Sequence, residues 1–279
     1  TIAQVIGGLI AGSLALVADA LHNLNDAASL GLALIARRIA RRPADRKRTF
    51  GYRRAEIIGA LINLTTLILV GLYLIYEAIS RFFDPQEIGG WIVVIVASIA
   101  LVVDIVTAML TYTMAKGSLN VRAAFIHNVS DALASVGVII AGTLILLYDL
   151  YIADLIATLA ISAYILYQGF TMISESIRIL MEATPPGLDF DELVAQMEAV
   201  PGVQEVHHLH AWQLDEHHQA LEAHVVVERG DIDNMEQIKT ALKRMLEQQH
   251  HIEHSTLEFE FPPHDPDSRD HDMDTFARH

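Results

Sequence analysis

The sequence predicts an α-helical membrane protein: a six-helix transmembrane bundle followed by a small α/β domain. Three observations carry that prediction. Of the 279 residues, 52% are hydrophobic and the mean hydropathy is +0.35, too apolar for an ordinary soluble chain of this size. The apolar residues fall in runs of spanning length, separated by short charged loops. Charge is also segregated. Residues 1–186 hold 13 acids and 13 Lys/Arg, whereas residues 187–279 hold 21 acids and six Lys/Arg, so the net charge of −15 lies entirely in the last third. Nucleic acid wants a basic face, and no such face is predicted. There is no cysteine. Disulfides are therefore excluded, and any metal must be held by histidine and carboxylate.

The first apolar run, TIAQVIGGLIAG, is shorter than the roughly 20 residues a span needs. It reads as the end of a helix truncated at Thr1. No basic region precedes it and no cleavage site follows, so it does not read as a signal peptide. Five further apolar segments cover residues 13–36, 55–79, 90–115, 121–148 and 151–173. From Arg37 to Arg54 the chain carries nine Lys/Arg against one acid, Asp45. Lys116, Arg122 and Arg178 fall on the same side by alternation, and Arg81, Asp84, Glu87 and Asp149 on the other. Basic loops face the cytoplasm, which places both termini there. The transmembrane domain is expected over residues 1–180.

The stretch LMEATPPGLD then breaks the helix with two prolines and opens a second domain, expected over residues 187–263. Residues 189–199 read as a helix, and VQEVHHLHAWQL and QALEAHVVVE alternate as strands. Residues 232–249 place Ile232, Met235, Ile238, Leu242, Met245 and Leu246 near helical spacing, and STLEFEF alternates again. The order α-β-β-α-β suggests an open-faced sandwich. Residues 264–279 are acidic, contain histidine and lack periodicity, the composition of a disordered tail.

Two copies of His-x-x-x-Asp stand inside the apolar segments. They are His22 and Asp26 in ALHNLNDAASLGL, and His127 and Asp131 in AFIHNVSDALASVGV. Residues i and i+4 share a helix face, and Asp19 shares that of His22. Ionisable groups at mid-membrane are costly and persist where they pair, line a wet cavity or bind an ion. Two imidazoles and two carboxylates form an N2O2 set suited to tetrahedral Zn²⁺. Mg²⁺ and Ca²⁺ ask for more oxygen; Co²⁺ and Ni²⁺ stay open. The bland alternative, imidazoles bonded to neighbouring helices, suits one copy better than two. Asp104, in LVVDIVTAML, is a third buried acid open to three roles: proton movement, helix contact or direct ligation. Asn23, Asn25 and Asn128 orient ligands or join helices. Gly7, Gly8, Gly12, Gly137 and Gly142 predict close helix approach.

GSLALVADALHNLNDAASL, TFGYRRAEIIGALIN, SLNVRAAFIHNVSDALASVGVIIAG and ILMEATP together resemble the cation diffusion facilitators, in the branch of bacterial zinc/cobalt/cadmium exporters related to the vertebrate zinc transporters. The resemblance covers nearly the whole chain. It implies a homodimer of six-helix subunits, each with a cytoplasmic ferredoxin-like domain, and metal²⁺/H⁺ antiport. It also implies a transport site of His22, Asp26, His127 and Asp131. The absence of cysteine and the resemblance of the motifs to bacterial ones imply the cell inner membrane. Relatives with aspartate where His22 stands tend to be less zinc-selective, so His22 favours zinc. A further loop site found in some relatives is expected to be absent, because RRPADRKRTFGYRR contains no histidine.

Twelve of the 14 histidines follow residue 200. The resemblance matches VHHLHAW, EAHVVV and HSTLEFE to metal-bearing strands, which implies a cytoplasmic zinc site of His207, His224, His254 and Glu260. His210 is expected beside Trp212. His217 and His218 read as a solvated turn, and His250 and His251 as a helix end, where a partly charged imidazole suits the dipole. The expected function is proton-coupled efflux of a divalent metal, zinc first and Co²⁺ or Cd²⁺ as alternatives, with no enzymatic activity. Two rivals remain: a membrane-bound zinc sensor that does not transport, and a passive channel.

Overall fold

A computed structural model describes residues 1–114 and 119–261. The expected tail, with His264, His271 and His279, lies outside the described residues, as does Lys116. The chain divides into two compact units. Among the described residues, one gathers Thr1–Ile35 and most of the stretch from Gly59 to Ser174; the other gathers Ala36–Ile58 and residues 175–261.

Six helices make the N-terminal part: α1 (Ile2–Ala11), α2 (Leu14–Ala40), α3 (Ala55–Phe83), α4 (Gly90–Met114), α5 (Leu119–Tyr148) and α6 (Ile152–Leu180). Each predicted segment is a helix, extended by up to a few turns where polar residues continue it. Arg122, expected in a loop, stands on the first turn of α5. Among the described residues four helices, α3 to α6, are long and apolar enough to cross a membrane. At 27 residues α2 is long enough, but its Asp19, His22, Asn23, Asn25 and Asp26 lower its hydropathy. The first unit closes over small residues. Ala11, Ala15, Ala18, Val93, Ala97 and Val138 are all buried together. A Cβ on Gly7 would meet Val96 at 2.9 Å, and one on Gly142 would meet Val93 at 2.9 Å, so both glycines permit the predicted close approach. Gly137 does not: a Cβ there meets nothing within 4 Å. It faces open space.

The second unit contains α7 (Phe190–Glu198), β1 (Val203–Gln213), β2 (Gln219–Val227), α8 (Met235–His250) and β3 (Ile252–Glu260), the expected α-β-β-α-β order. Asp189 caps α7 by accepting from the amides of Asp191 (3.0 Å) and Glu192 (3.2 Å). The sheet order is β1-β2-β3, with β1 antiparallel and β3 parallel to β2. The helix predicted from residue 232 starts at Met235 because Arg229–Asn234 is a 3₁₀ turn. The last strand starts three residues earlier than predicted, at Ile252, which the helix-ending His251 (φ 56°) turns into the core. Leu193 and Met197 of α7, and Ile238, Leu242 and Leu246 of α8, cover one face of the sheet. The other face carries the histidines.

Candidate metal centres

The pitch of an α-helix puts His22 and Asp26 one turn apart on α2, and His127 and Asp131 one turn apart on α5. The two helices bring the four side chains together. His22 Nε2 lies 3.2 Å from Asp131 Oδ1 and 3.6 Å from Asp26 Oδ2. His127 Nε2 lies 3.2 Å from Asp26 Oδ2 and 3.5 Å from Asp131 Oδ2. All four ligand atoms lie within 4.8 Å of one another. Each imidazole thus faces both carboxylates, one from its own helix and one from its neighbour. His22 and Asp131 are buried, while Asp26 and His127 are partly exposed. A cavity of about 350 Å³ reaches the buried edge, lined by His22, Asp131, Gly137, Ala157 and Tyr164. That cavity is the space the bare Gly137 faces.

One turn along, a second polar layer backs the first. Asp19, fully buried, accepts from Gln4 Nε2 of α1 at 2.8 Å. The Ser135 hydroxyl of α5 donates to Asp104 Oδ2 of α4 at 2.9 Å and stands 3.5 Å from Asp19 Oδ2. Asp104 therefore makes an interhelical contact. No local signal singles out Gln4 or Ser135, because one amide or hydroxyl in an apolar helix is common.

In the C-terminal domain three of the four expected residues converge. His207 and His224 are register partners across β1 and β2. Glu260, at the end of β3, reaches both: Oε1 is 2.6 Å from His224 Nδ1, and Oε2 is 3.4 Å from His207 Nε2. These three can supply ligand atoms within 4.8 Å of one another. Two nitrogens and one oxygen make a three-ligand set with one tetrahedral position left open. His254 is not brought to the group. Its register partner is Ala220, and its ring packs edge-on against Phe50, 5.2 Å between centroids. It is six residues back along β3, roughly 20 Å from Glu260 at strand rise.

A residue the sequence reading passed over stands beside the group instead. The β1–β2 register shifts between His207 and His210, and His208 takes φ 51°. That irregularity brings the His208 ring to 4.7 Å from that of His224. Plain alternation would have placed it on the opposite face. His218, expected to be solvated, pairs with Asp215 at 2.7 Å. Partial burial works against the Asp215 carboxylate, but hydrogen bonds from the His217 amide, the His218 imidazole and the His218 amide prevail and hold its pKa below the usual range.

The sequence matches the cation efflux transmembrane domain over residues 1–181 and the cation efflux protein cytoplasmic domain over residues 185–261. The chain belongs to the cation efflux family. It is similar to the cadmium, cobalt and zinc/H(+)-K(+) antiporter of Bacillus subtilis, 38% identical over 96% of this chain and 86% of that one. It is also similar to the metal cation efflux system protein CzcD of Cupriavidus metallidurans (38%, over 94% and 83%). The zinc transporter ZitB of Pectobacterium atrosepticum is 37% identical over 95% and 83%. As a member of the cation efflux family the chain is a multi-pass membrane transporter of metal cations and not an enzyme.

Proposed function

We propose that this chain exports zinc from the cytoplasm in exchange for protons, as a homodimer in the cell inner membrane, with Co²⁺ and Cd²⁺ as alternative cargo. One observation carries the reading: the four-ligand layer between α2 and α5. A tetrahedral Zn²⁺ with bonds of about 2.0–2.1 Å has ligand–ligand edges of about 3.3–3.4 Å. The four cross-pair and in-pair N···O separations run from 3.2 to 3.6 Å. Asp131 offers a different oxygen to each imidazole, so closing on one ion asks that carboxylate to turn.

Charge supplies the coupling. Metal needs both imidazoles neutral and both aspartates ionised, so protons and metal compete for the same lone pairs. Two carboxylates with Zn²⁺ are neutral as a group, and two carboxylates with two protons are neutral again. Neutral forms cross a low-dielectric interior at far lower cost than charged ones. The exposed ligands, Asp26 and His127, lie on the flank that runs along α2 toward the basic stretch Arg37–Arg54. By the positive-inside rule that flank is cytoplasmic, which suits metal loading from within.

The C-terminal domain, on this reading, binds zinc through His207, His224 and Glu260 and senses its level. A sensor without transport is the second reading, favoured by that same group. Proteoliposomes with an imposed pH gradient and a trapped zinc-sensitive dye separate the two. Gradient-driven zinc movement, lost in Asp26→Ala, supports antiport. Equal flux through parent and variant removes the transport site, and no flux with intact zinc binding by the C-terminal domain leaves the sensor.

A further inference from the structure

The start of α2 is held by a carboxylate from a distant helix. Asp154, on the first turn of α6, is fully buried. Its Oδ2 accepts from the amides of Leu14 (2.8 Å) and Ala15 (3.3 Å), and its Oδ1 accepts from the Ser13 hydroxyl. The Ser13 oxygen in turn accepts from the Leu16 amide at 3.1 Å. These are the first N–H groups of α2, which have no partner within the helix. Water cannot serve them inside a bilayer, so protein must. The turn before them is held as well. Gly12 has φ 70°, and its carbonyl accepts from Arg81 Nη1 of α3 at 2.6 Å. The Ala11 carbonyl accepts from the Gly89 amide at 2.8 Å.

The same two helices meet again at the ligand layer, where the Tyr164 ring of α6 stands edge-on to His22 at 6.3 Å. From Leu14 to His22 is about 12 Å of helix rise, and from Asp154 to Tyr164 about 15 Å. The clamp and the metal layer are thus two rungs between α2 and α6, which run in the same direction. We infer that Asp154 is a positioning residue for cation transport: it fixes the axial register of α2 against α6 and so sets where His22 and Asp26 sit in the four-ligand layer. The inference rests on the transport reading above. A slip of one residue along α2 shifts a ligand by about 1.5 Å and turns it by about 100°. The layer does not survive such a slip.

A carboxyl suits the place because its two oxygens accept from two amides and one hydroxyl at once. In this role Asp154 works through its acceptor atoms, not by carrying charge. Asparagine keeps an acceptor and caps nearly as well as aspartate; leucine matches its size and offers none.

The test uses the full chain in proteoliposomes: parent, Asp154→Asn, Asp154→Leu and Ser13→Ala. Zinc flux is measured across zinc concentrations. Nitroxide labels at Gly31→Cys and Gln168→Cys report the α2–α6 separation, since the chain has no cysteine of its own. Asp154→Leu raises the KM for zinc about tenfold or more and broadens the label distances. Asp154→Asn stays within about threefold, with parental distances. Parental KM and distances in the leucine variant overturn the inference. An asparagine variant as damaged as the leucine one also overturns it, because the carboxyl would then act through its charge. If the leucine variant fails to insert, Ser13→Ala decides: a raised KM with parental kcat supports the clamp, and a parental KM overturns it. Label distances are read without flux, so a parent that moves no zinc refutes transport separately from the clamp.

Discussion

Asp26 and His127 face each other at 3.2 Å with side chains 35% and 38% exposed, while His22 and Asp131, at the same separation, are 4% and 8% exposed. The four-ligand layer therefore has a wet edge and a dry edge. Substitutions on the two edges should differ in kind. On the wet edge, water takes the place of a lost ligand. On the dry edge, a lost imidazole leaves Asp131 a buried carboxylate without one of its two facing imidazoles.

His22→Ala and His127→Ala should both abolish zinc binding at the layer. Only His22→Ala should also cost folding stability, by about 1–3 kcal/mol, the usual cost of an unsatisfied buried polar group. Thermal unfolding of the metal-free protein in detergent checks this. Equal melting temperatures for the two variants would mean the dry edge is hydrated in solution.

The C-terminal group makes a separate prediction. A ligand that binds only the folded form stabilises it by about 2.7 kcal/mol at a hundredfold excess over Kd. Zinc should raise the melting temperature of a variant whose membrane layer is disabled by Asp26→Ala, and adding Glu260→Gln should remove most of that rise, since Glu260 contacts both His207 and His224. His254→Ala should leave the rise intact, because His254 packs on Phe50 instead. A His254 variant that loses the zinc response would restore it as a ligand.

The helices, their order and the paired His-x-x-x-Asp motif were legible because each is a local pattern, set by periods of 3.6 and 2 and by the high cost of buried charge. The convergence of α2 and α5 is not a local pattern: it rests on the repetition of the motif and on the family resemblance. What escaped was non-local or irregular. Asp154 stands on a first turn, where acids commonly sit for the dipole, and nothing local marks its partners as belonging to α2. His208 escaped because a register shift in β1 breaks the alternation on which strand reading depends. His254 was misplaced for a related reason: it stands beside the last strand in sequence, but distance along that strand separates it from Glu260.

Asp215 gives a pH dependence. Its folded pKa is depressed by the His217 and His218 hydrogen bonds, which outweigh its partial burial. A depressed carboxyl contributes stability above its unfolded pKa of about 3.9 and loses it as pH falls through the folded value. The parent should therefore be more stable than Asp215→Asn at neutral pH and down to about pH 4, and converge on it only as pH falls further, through the folded pKa. Melting temperatures of both proteins across that range check the sign. A constant difference at all pH values would show that Asp215 acts through packing.

Gly142 and Gly137 lie five residues apart on α5 and predict opposite outcomes. A Cβ at 142 would come within 2.9 Å of Val93 Cγ1 and 3.0 Å of Val94 Cγ2 on α4. Valine methyls cannot swing away as the end of a long side chain can, so the helices must part. Overpacking of this sort costs about 1–3 kcal/mol. Because α5 carries His127 and Asp131, parting it from α4 also shifts two ligands. At Gly137 a Cβ enters open space, and replacing a helical glycine by alanine gains up to about 1 kcal/mol in propensity. Gly142→Ala should thus lower the melting temperature and weaken zinc binding, while Gly137→Ala holds or raises the melting temperature. Paired melts and zinc titrations of the two variants decide it: if Gly142→Ala matches the parent, the α4–α5 contact is looser than the 2.9 Å approach requires.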